Sequence, residues 1–239
     1  MAQVTEDSTN RYLNGEYLAE NPDWHEDDSP WKAGHIGTIL DRNGVVPKNI
    51  CEVGCGTGGV VEALADRYTT SEVVGYEISP QAYERCLMRS KPNLGFVCGS
   101  PFESDKHFDV LMAIDVIEHV ENPFEFVRSM RRMSNYQVFH IPLDMNALAT
   151  ARGWVIMDAR HKIGHLHYFT RDTALSLLEE CGLTVVDSFY TPWAIDQSYK
   201  TWKKRLAAWP RRIAFGLSPH ATVRAIGGWS LMVLAKPRS

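Results

Sequence analysis

Long apolar runs are missing from this 239-residue chain. No stretch approaches the ~20 apolar residues that span a bilayer, and the opening MAQVTEDSTN has no apolar segment. We therefore expect neither a signal peptide nor a transmembrane helix. We expect the protein to be cytoplasmic. Cysteine is also sparse: the five cysteines are scattered, odd in number and form no C-x-x-C pair. This excludes a disulfide framework and a clustered zinc site and predicts reduced thiols.

Acidic residues are missing from the C-terminal part. After Asp196 the sequence has no acid but nine Lys and Arg, whereas residues 1–30 carry eight acids and one base, Arg11. Either the two ends neutralise each other across the fold, or the basic part meets an anionic partner or a membrane surface. No stacking platform or recognised RNA module accompanies the basic residues, so we expect no nucleic-acid partner.

Repeats are absent too, and most of the chain alternates short apolar strands with helices. The predicted strands are NICEV, SEVVGYE, LGFVC, FDVLMAI, YQVFHI, LTVVDSFYT and WSLMVLAKP. SPWKAGHIGTILDRNG precedes them as a helix with Ser29 as N-cap and Gly44 as the stop. Residues 142–170 are expected to form a long connection. The alternation predicts an α/β fold with a parallel sheet and helices on both faces.

The stretch ICEVGCGTGG, residues 50–59, contains a glycine-rich loop directly after the first strand. Gly54, Gly56 and Gly59 match the dinucleotide-binding pattern G-x-G-x-x-G. With Gly58 in place of Gly59, the loop matches G-x-G-x-G, which usually holds S-adenosylmethionine (SAM). Glycines allow a tight turn, the next helix presents free N–H groups, and Glu77 can accept hydrogen bonds from ribose hydroxyls. These features serve either ligand, so the loop alone does not decide.

Glu52 favours SAM. It lies two residues before Gly54, at the carboxyl end of the first strand. A pyrophosphate there would be repelled by the carboxylate, whereas a methionyl ammonium would be attracted, directly or through water. The alternatives are a solvated strand-end acid and a nicotinamide-dependent dehydrogenase. If SAM is the ligand, Gly59 is incidental to the motif.

Four motifs together resemble the class I SAM-dependent methyltransferases, especially the methyltransferase type 11/23 branch that includes ubiquinone-biosynthesis O-methyltransferase-like proteins. They are EVGCGTG (52–58), GYEIS (75–79), FDVLMAIDVIEHVENP (108–123) and GHLHYFT (164–170). The resemblance runs from about residue 29 to the end. It implies a Rossmann-like, seven-stranded, mostly parallel sheet with an antiparallel last strand, and SAM as the cofactor with S-adenosylhomocysteine (SAH) as product. Residues 1–44 become a cap closing over SAM and substrate, and residues 45–239 a catalytic domain with a basic amphipathic insertion at about 192–228.

The resemblance also assigns residues to SAM. Glu52 and the loop glycines hold its methionyl part, Glu77 its ribose, and Ile78 packs on adenine. Ser100 stands where an acid that bonds the adenine amine is usual, so Ser100 or the Phe102 backbone replaces that acid. Lys32 or Trp31 reaches the SAM carboxylate or the substrate. The expected cofactor-binding residues are Lys32, Glu52, Gly54, Cys55, Gly56, Gly58, Glu77, Ile78, Ser100, Phe102, Ile114 and Asp115.

Histidines supply the candidates for catalysis. Methyl transfer depends on alignment, and a base is needed only when the nucleophile carries a proton of high pKa. By resemblance, the loop containing His165 crosses the active-site mouth, which makes His165 the first choice of base and His119 the second. The alternative is that His165 and His167 bond loop backbone. His140, at the end of the fifth strand, is a further candidate, but a histidine there is more often a core residue with both ring nitrogens hydrogen-bonded.

Asp115, Glu118 and His119 form D-x-x-E-H, a spacing that could hold a divalent cation. Quinone O-methyltransferases and small-RNA 2′-O-methyltransferases use a similar E-x-x-E-H, in which the cation acidifies a hydroxyl pair. The segment IEHV also occurs in relatives without an evident metal, where the histidine is a base or a helix-start residue. We expect no metal here.

The segment 199–213 carries a basic amphipathic stripe formed by Tyr199, Trp202, Leu206, Trp209 and Ile213. We expect it to pack on the sheet as a lid or to form a dimer face, the alternative being peripheral contact with a membrane that carries a lipid-linked substrate. The predicted function is methylation of a small-molecule hydroxyl on a sugar, quinol or natural product, by a monomer or homodimer. Metal-assisted methylation of a vicinal diol or lipid-linked glycan, and a catalytically silent SAM-binding module, stay open.

Overall fold

A seven-stranded sheet organises the chain. The computed structural model describes residues 10–15, 17, 21, 26–196 and 202–238. The strands are β1 Asn49–Val53, β2 Glu72–Glu77, β3 Leu94–Cys98, β4 Phe108–Ile114, β5 Ser134–Pro142, β6 Leu183–Thr191 and β7 Ser230–Pro237. Their order is β3-β2-β1-β4-β5-β7-β6. β7 runs antiparallel to β5 and β6, and the pairs from β3 to β5 are parallel. The predicted fold class is confirmed.

Helices cover both faces of the sheet. They are α1 Asn10–Leu13, α2 Ser29–Arg42, α3 Gly59–Arg67, α4 Pro80–Leu87, α5 Pro123–Arg132, α6 Ala147–Arg152, α7 Trp154–Asp158, α8 Arg171–Glu180, α9 Trp193–Asp196, α10 Trp202–Leu217 and α11 Pro219–Ile226. Short 3₁₀ turns lie at Glu26–Asp28 and Pro101–Glu103, and a π turn at Ala159–Ile163. Side-chain caps start several helices: the Ser79 hydroxyl accepts the amide of Ala82, and the Asn122 side chain accepts that of Glu125.

Two sequence-based boundaries differ from the structure. Ser29 was predicted as the N-cap of α2, but it is the first helical residue and Asp28 precedes it. Residues 142–170 were predicted as a connection and instead hold α6, α7 and the π turn. Asn146 caps α6 by accepting the amide of Ala149, and Gly153 separates α6 from α7 with a positive φ of 62°. Elements this short have too little apolar periodicity to be recognised.

Each sheet face has its own apolar core. Successive strand residues point to opposite faces, so Leu111 and Phe139 join a core with α5 and α8, while Val110 and Val138 join one with α2 and α3. Ile36, among the α2 residues, is fully buried in the second core, which stabilises the fold by about 1.5–3 kcal/mol. The helix proposed to close over the ligand is therefore anchored on the sheet. A functional division at residue 44 stays a prediction.

The insertion between β6 and β7 holds α9, α10 and α11. No helix among the described residues is both long enough and apolar enough to cross a bilayer. Leu206, Trp209 and Ile213 on α10 are 65%, 61% and 57% exposed. The predicted packing of this stripe on the sheet is therefore wrong for these three residues. Tyr199 and the Trp202 side chain lie outside the described part of the chain.

Candidate active site

A cavity of about 650 Å³ opens at the carboxyl edge of the sheet, where β1 and β4 are neighbours. Connections from these two strands diverge to either side, which is where open α/β sheets bind ligands. Nine of the twelve expected cofactor-binding residues line it: Lys32, Glu52, Gly54, Cys55, Gly56, Glu77, Ile78, Ile114 and Asp115. The sequence therefore identified most of one wall of this cavity.

The glycine loop needs glycine for its backbone and for its contacts. Gly54 and Gly58 have φ values of 69° and 82°, a region that side-chain-bearing residues rarely adopt. A Cβ on Gly58 would lie 2.7 Å from the Phe96 ring. Gly59 is not incidental to the fold, because a Cβ there would lie 2.6 Å from the Ser29 hydroxyl oxygen. Its lack of a side chain lets the start of α2 pack against the start of α3.

Glu52 is an unsatisfied acceptor at the base of the cavity. It is 2% exposed, and its Oε2 has no hydrogen-bond partner among the described residues. Burial raises the pKa of Glu52 to about 8; the Glu77 and Asp115 carboxylates add to this, and the Lys32 ammonium opposes it. A buried carboxyl without a partner is costly unless a donor or a cation reaches it. The site therefore fits the methionyl ammonium of SAM.

Glu77 holds the next part of the loop in place. Its two carboxylate oxygens accept the amides of Ser79 and Gly56, each at 2.8 Å. Burial raises the pKa of Glu77, while these backbone hydrogen bonds oppose the rise. Each oxygen keeps a second lone pair for a further donor. Glu77 therefore suits hydrogen bonds from ribose hydroxyls, and the packing of Ile78 on adenine stays a prediction.

A chain of polar contacts crosses the cavity wall from α2 to β6. Lys32 Nζ lies 2.7 Å from Asp115 Oδ2, and Asp115 Oδ1 lies 2.6 Å from His140 Nδ1. The Nε2 of His140 is 2.8 Å from the Thr191 hydroxyl. Burial alone would raise the pKa of Asp115, but His140 and Lys32 hold it well below its usual range. With both ring nitrogens partnered, His140 is the satisfied buried histidine that its position indicated.

Asp115 adopts a left-handed backbone with φ of 55°, the only non-glycine residue of the described chain with a positive φ. Such a conformation costs of order 1–3 kcal/mol and tends to occur at functional sites. The ion pair with Lys32 offsets part of this cost. Contact of Lys32 with the SAM carboxylate or the substrate, and of Ile114 and Asp115 with the methionyl part, stay predictions.

Two histidines meet on the other side of the cavity. The Nδ1 of His119 donates to the carbonyl oxygen of Gly164 at 3.1 Å, which leaves its Nε2 as an acceptor. Burial, together with the nearby His165, lowers the pKa of His119 to about 4. The Nδ1 of His165 lies 2.6 Å from Asp144 Oδ2, and the two imidazole rings meet edge to face at 4.9 Å. His165 therefore bonds a carboxylate rather than loop backbone.

Asp144 was not recognised from the sequence. It lies just beyond the end of β5 and lines the cavity. An acid close to a strand's carboxyl end was the available signal. His167, by contrast, bonds backbone as the structural alternative expected: its Nε2 donates to the carbonyl oxygen of Val120 at 3.0 Å.

Glu118 is fully buried beside these histidines, and neither of its carboxylate oxygens has a hydrogen-bond partner among the described residues. Burial and the Asp115 carboxylate raise its pKa well above the usual range. Glu118, His119 and His165 each place one ligand atom within 4.8 Å of the others. The possible metal set considered from the sequence, alongside the expectation of no metal, had Asp115 in place of His165. In the structure Asp115 is bound to Lys32 and His140 instead.

Three predicted cofactor residues do not appear among the described cavity-lining residues: Gly58, Ser100 and Phe102. The Ser100 hydroxyl accepts the Phe102 amide at 3.3 Å and starts a 3₁₀ turn, while the Phe102 ring packs edge to face on Phe126. Their assignment to adenine stays a prediction.

Two tyrosines of the N-terminal segment line the cavity and were missed in the sequence, because that segment has no apolar period. The rings of Tyr12 and Tyr17 lie 4.9 Å apart, and Tyr12 meets His119 edge to face at 6.1 Å. Burial raises the pKa of Tyr17 to about 12, so its phenol is neutral at physiological pH.

The sheet order and this site define a SAM-binding fold of class I. A family model described as a methyltransferase domain matches residues 24–188. The chain therefore belongs to this methyltransferase family, which confirms the predicted family and its cofactor, SAM.

Similar proteins methylate different atoms. The norajmaline N-methyltransferase of Rauvolfia serpentina is 28% identical over 112 residues, 43% of this chain and 38% of that enzyme. The ubiquinone biosynthesis O-methyltransferase of Pseudomonas fluorescens is 27% identical over 139 residues, 53% of this chain and 60% of that enzyme. Both alignments thus span less than two thirds of the relative.

Among solved structures, the N-methyltransferase NodS from Bradyrhizobium japonicum, crystallised with SAH, matches with a TM-score of 0.60 at 17% identity. The match covers 98% of this chain and all of that one. At this identity the likeness establishes the fold.

Proposed function

We propose that this protein transfers the methyl group of SAM to a hydroxyl of a small acceptor, with His165 as the general base. The observation that carries the proposal is the 2.6 Å contact between His165 and Asp144 at the cavity wall. A base held by a carboxylate serves a hydroxyl, whose proton has a high pKa. An amine in its free-base form already carries a lone pair and needs no such base.

The contact with the Asp144 carboxylate selects one tautomer of the His165 ring. The carboxylate accepts the Nδ1 proton of His165, so that Nε2 of the neutral imidazole is an acceptor. As the proton of the acceptor hydroxyl moves to Nε2, the Asp144 carboxylate stabilises the imidazolium that forms. Bound SAM supplies the electrophilic methyl group. Glu52 and Glu77 would orient it through its ammonium and its ribose.

A metal-assisted reaction is the second candidate. Glu118, His119 and His165 offer one oxygen and two nitrogens at metal-binding distances, and the Glu118 oxygens have no hydrogen bonds among the described residues. This mixed donor set suits a first-row divalent cation such as Mn²⁺, Fe²⁺ or Zn²⁺. Such a cation would lower the pKa of an acceptor hydroxyl pair. The two candidates are distinguishable because they use His165 Nε2 differently, as a base or as a ligand.

The test measures SAH formation with a panel of catechols, quinols and sugars, followed by mass spectrometry of the product. For the base, Asp144→Asn and His165→Gln should each lower kcat by about 10²–10⁴ and change its pH profile, with SAH affinity unchanged. The control is His161→Gln, because His161 is exposed. An unchanged kcat in both Asp144→Asn and His165→Gln would refute the role of His165 as the general base.

Chelation and the variant Glu118→Gln distinguish the metal-assisted reaction from general-base catalysis by His165. If chelator and Glu118→Gln both abolish turnover and added Mn²⁺ restores it only in the wild type, the metal-assisted reaction replaces the base. A protein that binds SAM but forms no SAH with any acceptor of the panel would support the catalytically silent module instead.

A further inference from the structure

Helix α10 exposes a continuous apolar stripe. Leu206, Trp209, Ile213 and Leu217 follow one another at three- and four-residue steps, which places them on one helix face. Their exposed fractions are 65%, 61%, 57% and 83%. Single exposed apolar residues are normal, whereas a contiguous stripe of this size marks an interaction surface.

The outward direction of the stripe is fixed by packing on the other side of α10. Ala208 is buried, and the Phe215 ring stacks on Trp229 with ring centroids 5.3 Å apart. With about 100° between successive helical residues, Ala208 and Phe215 lie opposite the stripe. The helix is thus docked by one face and leaves its more apolar face to solvent.

The insertion that carries α10 also borders the cavity. Trp193 at its start and Trp229 at its end both line the cavity. The insertion is therefore joined to the cavity wall at both of its ends.

The positive charge around α10 favours an anionic partner. From residue 197 to the end the chain has no acidic residue, and four basic residues lie just before α10 and in its first turn: Lys200, Lys203, Lys204 and Arg205. Arg211 and Arg212 contact the protein instead, because Arg211 Nε is buried and Arg212 donates to the carbonyl oxygen of Ile195. A symmetric dimer through this surface would bring the same basic segment of two copies together. An anionic surface with an apolar interior complements both the charge and the stripe.

We propose that α10 is an interfacial helix that docks the protein on anionic phospholipid bilayers. Leu206, Trp209, Ile213 and Leu217 enter the boundary between headgroups and acyl chains, and the four basic residues at the start of the helix contact the lipid phosphates. Each basic side chain near an anionic leaflet strengthens partitioning about fivefold, and this share of the binding falls as salt shortens the screening length.

The experiment is flotation of the full chain with vesicles of phosphatidylcholine alone or with 30% phosphatidylglycerol, at low and high salt. The wild type should float with the anionic vesicles at low salt, and much less with neutral vesicles or at high salt. The triple variant Leu206→Gln/Trp209→Gln/Ile213→Gln should lose at least about tenfold in partitioning. Glutamine in place of Lys203, Lys204 and Arg205 should remove most of the salt dependence.

A matched control replaces exposed apolar residues elsewhere. Val46→Gln/Met88→Gln changes two residues that are 86% and 83% exposed and should float like the wild type. Thermal unfolding of each variant checks the fold.

Three results would overturn the proposal. They are no flotation of the wild type, equal flotation of the stripe variant, and a stable wild-type dimer in analytical ultracentrifugation that the stripe variant abolishes. The last result would identify the stripe as a dimer face.

Discussion

Binding of SAH should release a proton from Glu52. Burial raises the pKa of this carboxyl to about 8 in the ligand-free protein, so about nine tenths of it is protonated at pH 7. A methionyl ammonium next to it favours the ionised form, and binding therefore expels most of one proton. Because affinity follows the ionised fraction, which rises from about 0.01 at pH 6 to about 0.09 at pH 7, SAH should bind about ninefold more tightly at pH 7.

The number of protons released on SAH binding is measured by isothermal titration calorimetry in buffers of different ionisation enthalpy. The range pH 6–7 is chosen because a free α-amino group, with a pKa of about 7.7–8.0, stays charged there. Glu52→Gln should bind SAH more weakly at pH 7, release no proton at this site and lose the ninefold pH dependence. Equal proton release in wild type and Glu52→Gln would refute the placement of the ammonium at Glu52.

The same pKa has a consequence for folding, with the opposite direction in pH. Glu52 keeps its proton in the folded protein up to about pH 8 but loses it near pH 4.5 when unfolded. Its contribution therefore lowers the stability of the ligand-free protein as pH rises between these values, by roughly 3 kcal/mol from pH 4 to pH 7. The free energy of unfolding of Glu52→Gln should rise by that amount relative to wild type over this interval, as measured by urea titration. A pH-independent difference would contradict the raised pKa.

Gly58→Ala should destabilise the fold by about 1–3 kcal/mol, because φ is 82° and the new Cβ would lie 2.7 Å from an aromatic ring of β3; thermal unfolding measures it. Gly95→Ala is the control, with open space around the added Cβ, and equal losses in the two variants would contradict the account. Lys32→Met should cost about 1–3 kcal/mol, between the values for exposed and buried ion pairs, since it leaves Asp115 with His140 alone. Adding Asp115→Asn should recover part of that loss in urea unfolding, and simple additivity would argue against the ion pair.

Most of the fold could be predicted from local sequence patterns. Apolar strands such as FDVLMAI, helix starts such as Ser79-Pro80, and the glycine loop are set by neighbouring residues, and the structure confirms the sheet they predict. Glu52 could be singled out as well, because its position at the end of β1 follows from the strand itself. Its missing hydrogen-bond partner could only be seen in the structure.

Contacts between residues far apart in the chain could not be predicted from the sequence. Asp144 meets His165 across 21 residues, and Lys32 reaches Asp115 through the docking of α2 on the sheet. The spacing D-x-x-E-H placed Asp115 with His119, but the left-handed backbone at Asp115 and its ion pair with Lys32 direct that carboxylate elsewhere. The period of α10 predicted an amphipathic helix, yet a period does not determine which face meets the protein.

A crystal structure with bound SAH tests the central claim most directly. We expect the SAH ammonium at Glu52, directly or through one water, and the SAH sulfur facing the side of the cavity formed by Glu118, His119 and His165. SAH bound in another cavity, or held with its ammonium away from Glu52, would contradict it.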